Sequence, residues 1–251
     1  MIKFIMHGCN GAMGQVITGL AKEDPRVEIV AGLDISDSRD NGYPVFTNPM
    51  ECRTEADIII DFSVAGAVNG VIDFALERKL PLVLCTTGLS GEQMEKVDEA
   101  AKVIPVLRSA NMSMGVNTVF KLAAIGAEVL AHAGYDIEIV EKHHNRKLDA
   151  PSGTAIAIAD AMNKVLKNEY SYKLDRSHER AKRGEKEIGI QSVRGGNIVG
   201  EHEVLFCGPD EVIEIKHTAY SRAIFGKGAI EAAAYLKGKK PGLYTMSDVI
   251  G

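Results

Sequence analysis

Ile2-Lys3-Phe4-Ile5-Met6-His7-Gly8-Cys9-Asn10-Gly11-Ala12-Met13-Gly14 carries the chain from a short apolar run through a glycine turn into the opening of a helix. An apolar strand that empties at once into glycines and then a helix is the start of a parallel sheet unit rather than of a hairpin. The same rhythm continues downstream. Strands are expected over 2–6, 27–33, 56–61, 82–85 and 103–107, and helices over 11–22, 65–78 and 91–102. Fully apolar strands that alternate with helices imply a parallel sheet covered on both faces, the doubly wound α/β pattern.

The turn itself points to chemistry. Glycines at 8, 11 and 14 let backbone approach a pyrophosphate, whose charge then sits at the positive end of the helix. The spacing is G-x-x-G-x-x-G rather than the commoner G-x-G-x-x-G, so position has to support it. Asp34 follows Gly14 by 20 residues, at the end of the second strand. A carboxylate there hydrogen-bonds the ribose of an adenine dinucleotide. Its charge opposes a 2'-phosphate, and Ile35 and Ser36 add no cation, although Arg39 is near; the reading leans to NADH over NADPH. Two further strand ends open toward the same crevice, Cys85-Thr86-Thr87-Gly88 and Ser109-Ala110-Asn111-Met112, either of which could also be ordinary turn chemistry.

After Asn111 the pattern changes. A long helix is expected over 115–133, then a strand through Ile137, Glu138 and Ile139, a helix over 153–166, and strands over 187–193, 199–206 and 211–217. Strands that succeed one another without helices make a mixed or antiparallel sheet, so a second, α+β domain begins near residue 115. The charged stretch 173–187 reads as a solvated, mobile loop. A last helix is expected over 223–236, and the tail 242–251 carries no readable chemistry.

Glu141-Lys142-His143-His144-Asn145-Arg146-Lys147-Leu148-Asp149-Ala150-Pro151-Ser152-Gly153-Thr154 gathers two imidazoles and several cations behind a strand and feeds them into a helix. Free amides at that helix start, with the Thr154 hydroxyl and the point charge of Lys147, suit a small carboxylate-bearing substrate. Adjacent residues of an extended segment face opposite ways, so His143 and His144 do not share a metal ion, and no metal site is expected. General acid chemistry fits an imidazole better, since it titrates near neutrality and can deliver a proton beside a hydride.

Composition limits the partners. With 29 basic and 34 acidic residues among 251, a net charge of -5 argues against binding to nucleic acid or anionic lipid by bulk charge. No apolar run long enough to span a bilayer and no targeting segment is visible. Four scattered cysteines suggest neither a disulfide framework nor a zinc knuckle, and a reducing cytoplasm is the expected setting.

With these residues in view the chain resembles the dihydrodipicolinate reductase (4-hydroxy-tetrahydrodipicolinate reductase) family nearly end to end. The resemblance rests on the turn at 8–14, Thr86-Thr87-Gly88, Ala110-Asn111-Met112-Ser113, the run from Glu141 to Ala155, Arg194-Gly195-Gly196, Gly200-Glu201-His202 and Ser221-Arg222. It implies reduction of a cyclic dicarboxylate by NADH or NADPH in diaminopimelate and lysine biosynthesis. His143 would be the acid/base histidine, and Lys147 a proton donor and carboxylate partner. His144, Ser152, Gly153 and Thr154 would contact substrate. The dinucleotide would lie on Gly8, Cys9, Asn10, Gly11, Ala12, Met13, Asp34, Cys85, Thr86, Thr87, Gly88, Ser109, Ala110, Asn111 and Met112. The family also implies a Rossmann-type domain over 1–114 completed by 223–251, a central substrate and oligomerisation domain over 115–222 with a mixed open sheet, and a homotetramer built through it. Ala12 and Ile35 stand where many relatives are basic, which strengthens the lean to NADH, and Cys85 stands where glycine is common. Two other readings keep the nucleotide site: a semialdehyde dehydrogenase acting through Cys9 or Cys85, and a nucleotide-binding sensor without catalysis.

Overall fold

The computed structural model describes residues 1–109 and 111–251, and the chain divides into two compact units, Met1–Met114 with Arg222–Gly251, and Gly115–Ser221. The first unit is built on strands β1 (Ile2–His7), β2 (Val27–Leu33), β3 (Val45–Phe46), β4 (Ile58–Asp61), β5 (Leu82–Leu84) and β6 (Pro105–Arg108), with α1 (Ala12–Glu23), α2 (Ala65–Arg78) and α3 (Gly91–Ala101) between them. All pair in parallel, in the order β6-β5-β4-β1-β2-β3, and a short strand from the C-terminal segment, Gly242–Tyr244, extends the sheet beside β6.

Alternation along the strands splits their side chains between two cores. Ile5, Ile59, Leu82 and Leu84 pack with Val68, Val71, Ile72 and Phe74 of α2 and Val97 and Ala100 of α3. Phe4, Met6, Ile58, Ile60 and Val83 face the other way, toward Ile17 of α1 and Ala229, Ala232, Ala233 and Leu236. Those last four lie on the helix Ala223–Leu236, so the C-terminal segment shares with α1 the cover of one face of the first sheet. The tail that showed no chemistry in sequence thus supplies an edge strand and, at Met246, a buried core residue.

The second unit holds α4 (Met114–Leu130), which begins at the boundary, then β7 (Asp136–His143), α5 (Gly153–Val165), β8 (Ser171–Lys173), β9 (Glu187–Arg194), β10 (Gly200–Cys207) and β11 (Val212–Ala219). Its five-stranded sheet runs β11-β10-β7-β9-β8 and is mixed, β7 pairing parallel with β9 and antiparallel with β10. On the face toward the helices, Ile137, Ile139, Ile188, Ile190, Val204 and Phe206 pack with Val119, Ala123 and Ala127 of α4 and Ala155, Ile158, Ala159 and Met162 of α5.

Two expectations are corrected. The charged stretch 173–187 is tied down: Arg183 donates to the carbonyls of Ile137 and Glu187 and pairs with Asp136 and Glu138, and Arg176 pairs with Glu138 and Glu187. The anchors are Arg176 and Arg183, while Asp175, His178, Glu179 and Lys186 still face water, so the stretch is solvated but not loose. Met114–Ala133 is, by length and composition, long and apolar enough to cross a bilayer. Reading by uninterrupted runs misses it because Lys121 and Glu128 break the run. The stripe Val119, Ala123, Ala127 gives that apolarity a destination, the core of the second unit.

Candidate active site

In the first unit, β1 lies between β2 and β4, so the chain reverses its direction of travel across the sheet at β1. The crevice beyond the strand ends at such a switch point is where open α/β sheets hold ligands. A cavity of about 440 Å³ opens there, lined by His7 and Gly8 after β1, Asp34 and Ile35 after β2, Phe62, Ser63 and Val64 after β4, and Gly11 at the start of α1. Gly8 has φ +78°, and a Cβ on it would come within 2.5 Å of the Phe62 carbonyl oxygen; a Cβ on Gly14 would come within 2.2 Å of the Gly8 oxygen. The turn therefore closes on itself only with glycine at both places. Helix α1 starts at Gly11 with no side-chain cap and no acidic residue in its first turn, leaving its amides to an anion. The cavity and these amides fit the nucleotide that the sequence anticipates.

Asp34 is fixed from both oxygens. It accepts from the Asn10 amide at 2.8 Å and from the Ile35 amide at 2.8 Å, so it props the glycine turn while facing the cavity. Asn10 turns its side chain into the fold, to the Ser36 carbonyl and Asn41, and Arg39 reaches the Asn10 carbonyl at 3.4 Å. The Thr86 hydroxyl donates to buried Asp61 at 2.6 Å, and Asp61 also meets Nδ1 of His7 at 2.7 Å. Thr87 and Gly88 are exposed, Ala12 is exposed and Met13 half-buried; Met112 is buried in the core, and Asn111 accepts from the Ser113 amide. Ala110 lies outside the described residues. His7, Phe62, Ser63 and Val64 line the cavity without having been anticipated, because nothing local marks the end of β4 as part of the first turn's surroundings.

Neither cysteine of the crevice is a nucleophile. Cys9 is fully buried, and burial, with Asp34 nearby, pushes its thiol up to about 11; burial and Asp61 raise the thiol of Cys85 well above its ordinary range. At neutral pH both are protonated and hidden, which removes the cysteine-thioester reading.

In the second unit the inner face of the sheet changes character along each strand. It is apolar through Ile137 and Ile139 and becomes polar at Glu141 and His143. Register then brings partners across: His202 of β10 stands opposite Glu141, and Ser192 and Arg194 of β9 stand opposite Glu141 and His143. The Glu141 carboxylate is fully buried and accepts from Nδ1 of His143 at 2.6 Å, from Arg194 at 2.6 and 2.8 Å, and from the Ser152 amide at 3.1 Å. Burial opposes its charge, yet the hydrogen bonds of Arg194, Ser192, His143 and Ser152 prevail and hold the carboxyl down at about 2.

Ser152 caps α5 by accepting from the Ala155 amide, and its hydroxyl meets Nε2 of His202 at 3.1 Å, so its side chain is buried in the fold. Gly153 and Thr154 form the first turn of α5, and space around Gly153 is open. Lys147, expected as a point charge for a substrate carboxylate, pairs with Asp149 at 2.9 Å. That lysine, aided by the Gly153 amide, keeps the Asp149 carboxyl below its usual range. An internal carboxylate thus rests on the cation and helix start that the sequence assigns to a substrate carboxylate. His144 follows β7, partly buried. His202 is buried, and burial, reinforced by neighbouring His143, pushes it down to about 4. The structure joins His143, Lys147 and the start of α5 into one hydrogen-bonded cluster. It adds Glu141, Arg194 and His202, two of which come from strands distant in sequence.

Models of the dihydrodipicolinate reductase N-terminus and C-terminus match residues 2–112 and 115–250. The 4-hydroxy-tetrahydrodipicolinate reductase of Caldanaerobacter subterraneus subsp. tengcongensis is 52% identical over 250 residues, covering 100% of this chain and 98% of the relative. That of Clostridium novyi is 45% identical with the same coverage. Among solved structures, dipicolinate-bound dihydrodipicolinate reductase from Paenisporosarcina sp. TG-14 superposes with a TM-score of 0.84 at 25% identity, covering 99% of both chains.

Proposed function

Because the chain belongs to the dihydrodipicolinate reductase family, we propose that it reduces 4-hydroxy-tetrahydrodipicolinate to tetrahydrodipicolinate, a step of diaminopimelate and lysine biosynthesis, at the expense of NADH or NADPH. What carries this reading is the full-length match to relatives named for that reaction, joined to a cluster whose chemistry suits a ring dicarboxylate.

The bound dinucleotide supplies hydride; the chain supplies the rest. The turn at 8–14 and the amides of α1 take the pyrophosphate, and Asp34 takes the adenosine ribose. In the second unit a substrate carboxylate displaces Asp149 from Lys147 and settles on the amides of Gly153 and Thr154, with His144 beside it. Ser152 contributes by capping the helix that presents those amides. His143, or Lys147, then gives the proton that balances the hydride. The fixed charge of Asp34, with Ile35 and Ser36 after it, favours NADH, while Arg39 leaves NADPH usable.

Assembly as a homotetramer through the second unit belongs to the same reading, supported by Leu122, Ile125 and Val129 exposed on α4 and Val212 and Ile213 exposed on the edge strand β11. All four cysteines are unpaired, in keeping with a cytoplasmic protein.

The test mixes purified protein with freshly generated 4-hydroxy-tetrahydrodipicolinate and follows absorbance loss from NADH and NADPH in parallel. Turnover with a higher kcat/KM for NADH is expected. No turnover with either, despite nucleotide binding, would reopen the assignment.

A further inference from the structure

Glu141 takes no part in the chemistry above, yet its carboxylate is fully buried and tied to three other residues by four hydrogen bonds. A carboxylate has about four acceptor sites. Here Oε2 accepts from Arg194 at 2.8 Å and from Nδ1 of His143 at 2.6 Å, while Oε1 accepts from Arg194 at 2.6 Å and from the Ser152 amide at 3.1 Å. Arg194 and the Ser152 amide can only donate, and the Ser192 side chain adds a further hydrogen bond. A protonated Glu141 would leave the guanidinium of Arg194, bonded to both its oxygens, without its counter-charge. The carboxylate is therefore ionised, and Nδ1 of His143 carries the hydrogen of that contact.

The consequence falls on the other ring nitrogen. With Nδ1 spent, Nε2 alone can exchange a proton. It lies beside Gly200, where an added Cβ would stand 3.1 Å away and crowd this edge of the ring. The charged or titratable groups facing His143 are Glu141 on its own strand, Arg194 on β9 and His202 on β10, whose ring packs edge-on at 5.2 Å between centroids. Nε2 of His202 meets the Ser152 hydroxyl, and Glu141 is the carboxylate in contact with the His143 ring. The same carboxylate holds the Ser152 amide, so one buried group sets both the proton donor and the start of the helix that receives substrate.

We propose that Glu141 is a positioning residue that fixes His143 in the Nδ1–H form and aims Nε2 at the substrate. This rests on the reading of His143 as proton donor. It gives the pair the division of labour known from carboxylate-histidine couples, in which the carboxylate orients the imidazole without itself being protonated.

Two measurements separate the inference from the reading beneath it. Long-range nitrogen–proton correlation spectra of the histidine rings in the unmodified protein, assigned with His143→Gln, need no turnover. The expected result is a neutral His143 protonated at Nδ1; protonation at Nε2 overturns the proposal. Kinetics of Glu141→Gln, His143→Ala and the double variant then test the route of action. Glu141→Gln is expected to lower kcat about a hundredfold with little change in KM. The double variant should be no slower than His143→Ala within about twofold, since a residue acting through His143 has nothing left to act on. Additive losses would show a merely structural role and overturn the proposal. Unimpaired turnover of His143→Ala would instead remove the proton-donor reading, whatever the ring spectra show. If Glu141→Gln does not fold, the spectra of the unmodified protein still decide.

Discussion

His202 faces two influences that both disfavour its charge, a dry setting and the imidazole of His143. Its ordinary value of 6.5 falls to about 4 in the folded chain. Between those values the unfolded chain binds the proton and the folded chain does not, so stability present above about 6.5 is lost as pH falls toward 4. Glu141, held at about 2 against an ordinary 4.5, adds a second loss at still lower pH. Urea unfolding measured at steps of pH should show stability declining across the first window, and His202→Gln should flatten that decline. An unchanged slope in the variant would mean that His202 is not the group responsible. At this scale the sequence was most informative where chemistry is local. His143, Lys147, Gly153 and Thr154 are near neighbours in the chain and could be read together. Glu141 stood in the same quoted run without a role, because nothing in a linear sequence says that it is buried beside Arg194 and opposite His202.

Elements succeed or fail in sequence according to how much apolar surface they bury. The central strands β1 and β4 and the helices α2 and α3 are legible because alternate residues serve two cores. β3 has two residues and β8 three, both at sheet edges, and the short strand after residue 241 has three; such pieces carry too little pattern to register. The start of α5 was legible from Pro151, Ser152 and Gly153, but the double duty of Ser152 was not. Its hydroxyl both caps the helix and meets His202. Ser152→Ala is expected to cost about 2 kcal/mol or more in urea denaturation, the loss of the cap added to a buried His202 Nε2 left without its partner, while the backbone contact to Glu141 survives. A loss within error of zero would show that the cap contributes nothing there.

On the scale of the whole molecule, two units of different grammar divide the work. The first joins the N-terminal sheet to the helix Ala223–Leu236, which packs closely enough that a Cβ on Gly226 would come within 2.9 Å of Leu20. The second turns the apolar α4 and the inner sheet face into a platform whose polar end holds the His143 cluster. Sequence told the two apart by the change from alternating strands and helices to consecutive strands. The mixed order of the second sheet depends on pairings between distant strands, which periodicity does not encode. The reductase reading centres on one claim, that the cluster around His143 and Lys147 is where the ring receives its proton. Steady-state kinetics of His143→Ala beside the unmodified protein, on 4-hydroxy-tetrahydrodipicolinate with saturating NADH, test it most directly. The expected result is a kcat lower by about a hundredfold or more with KM little changed; a kcat near that of the unmodified protein would contradict it.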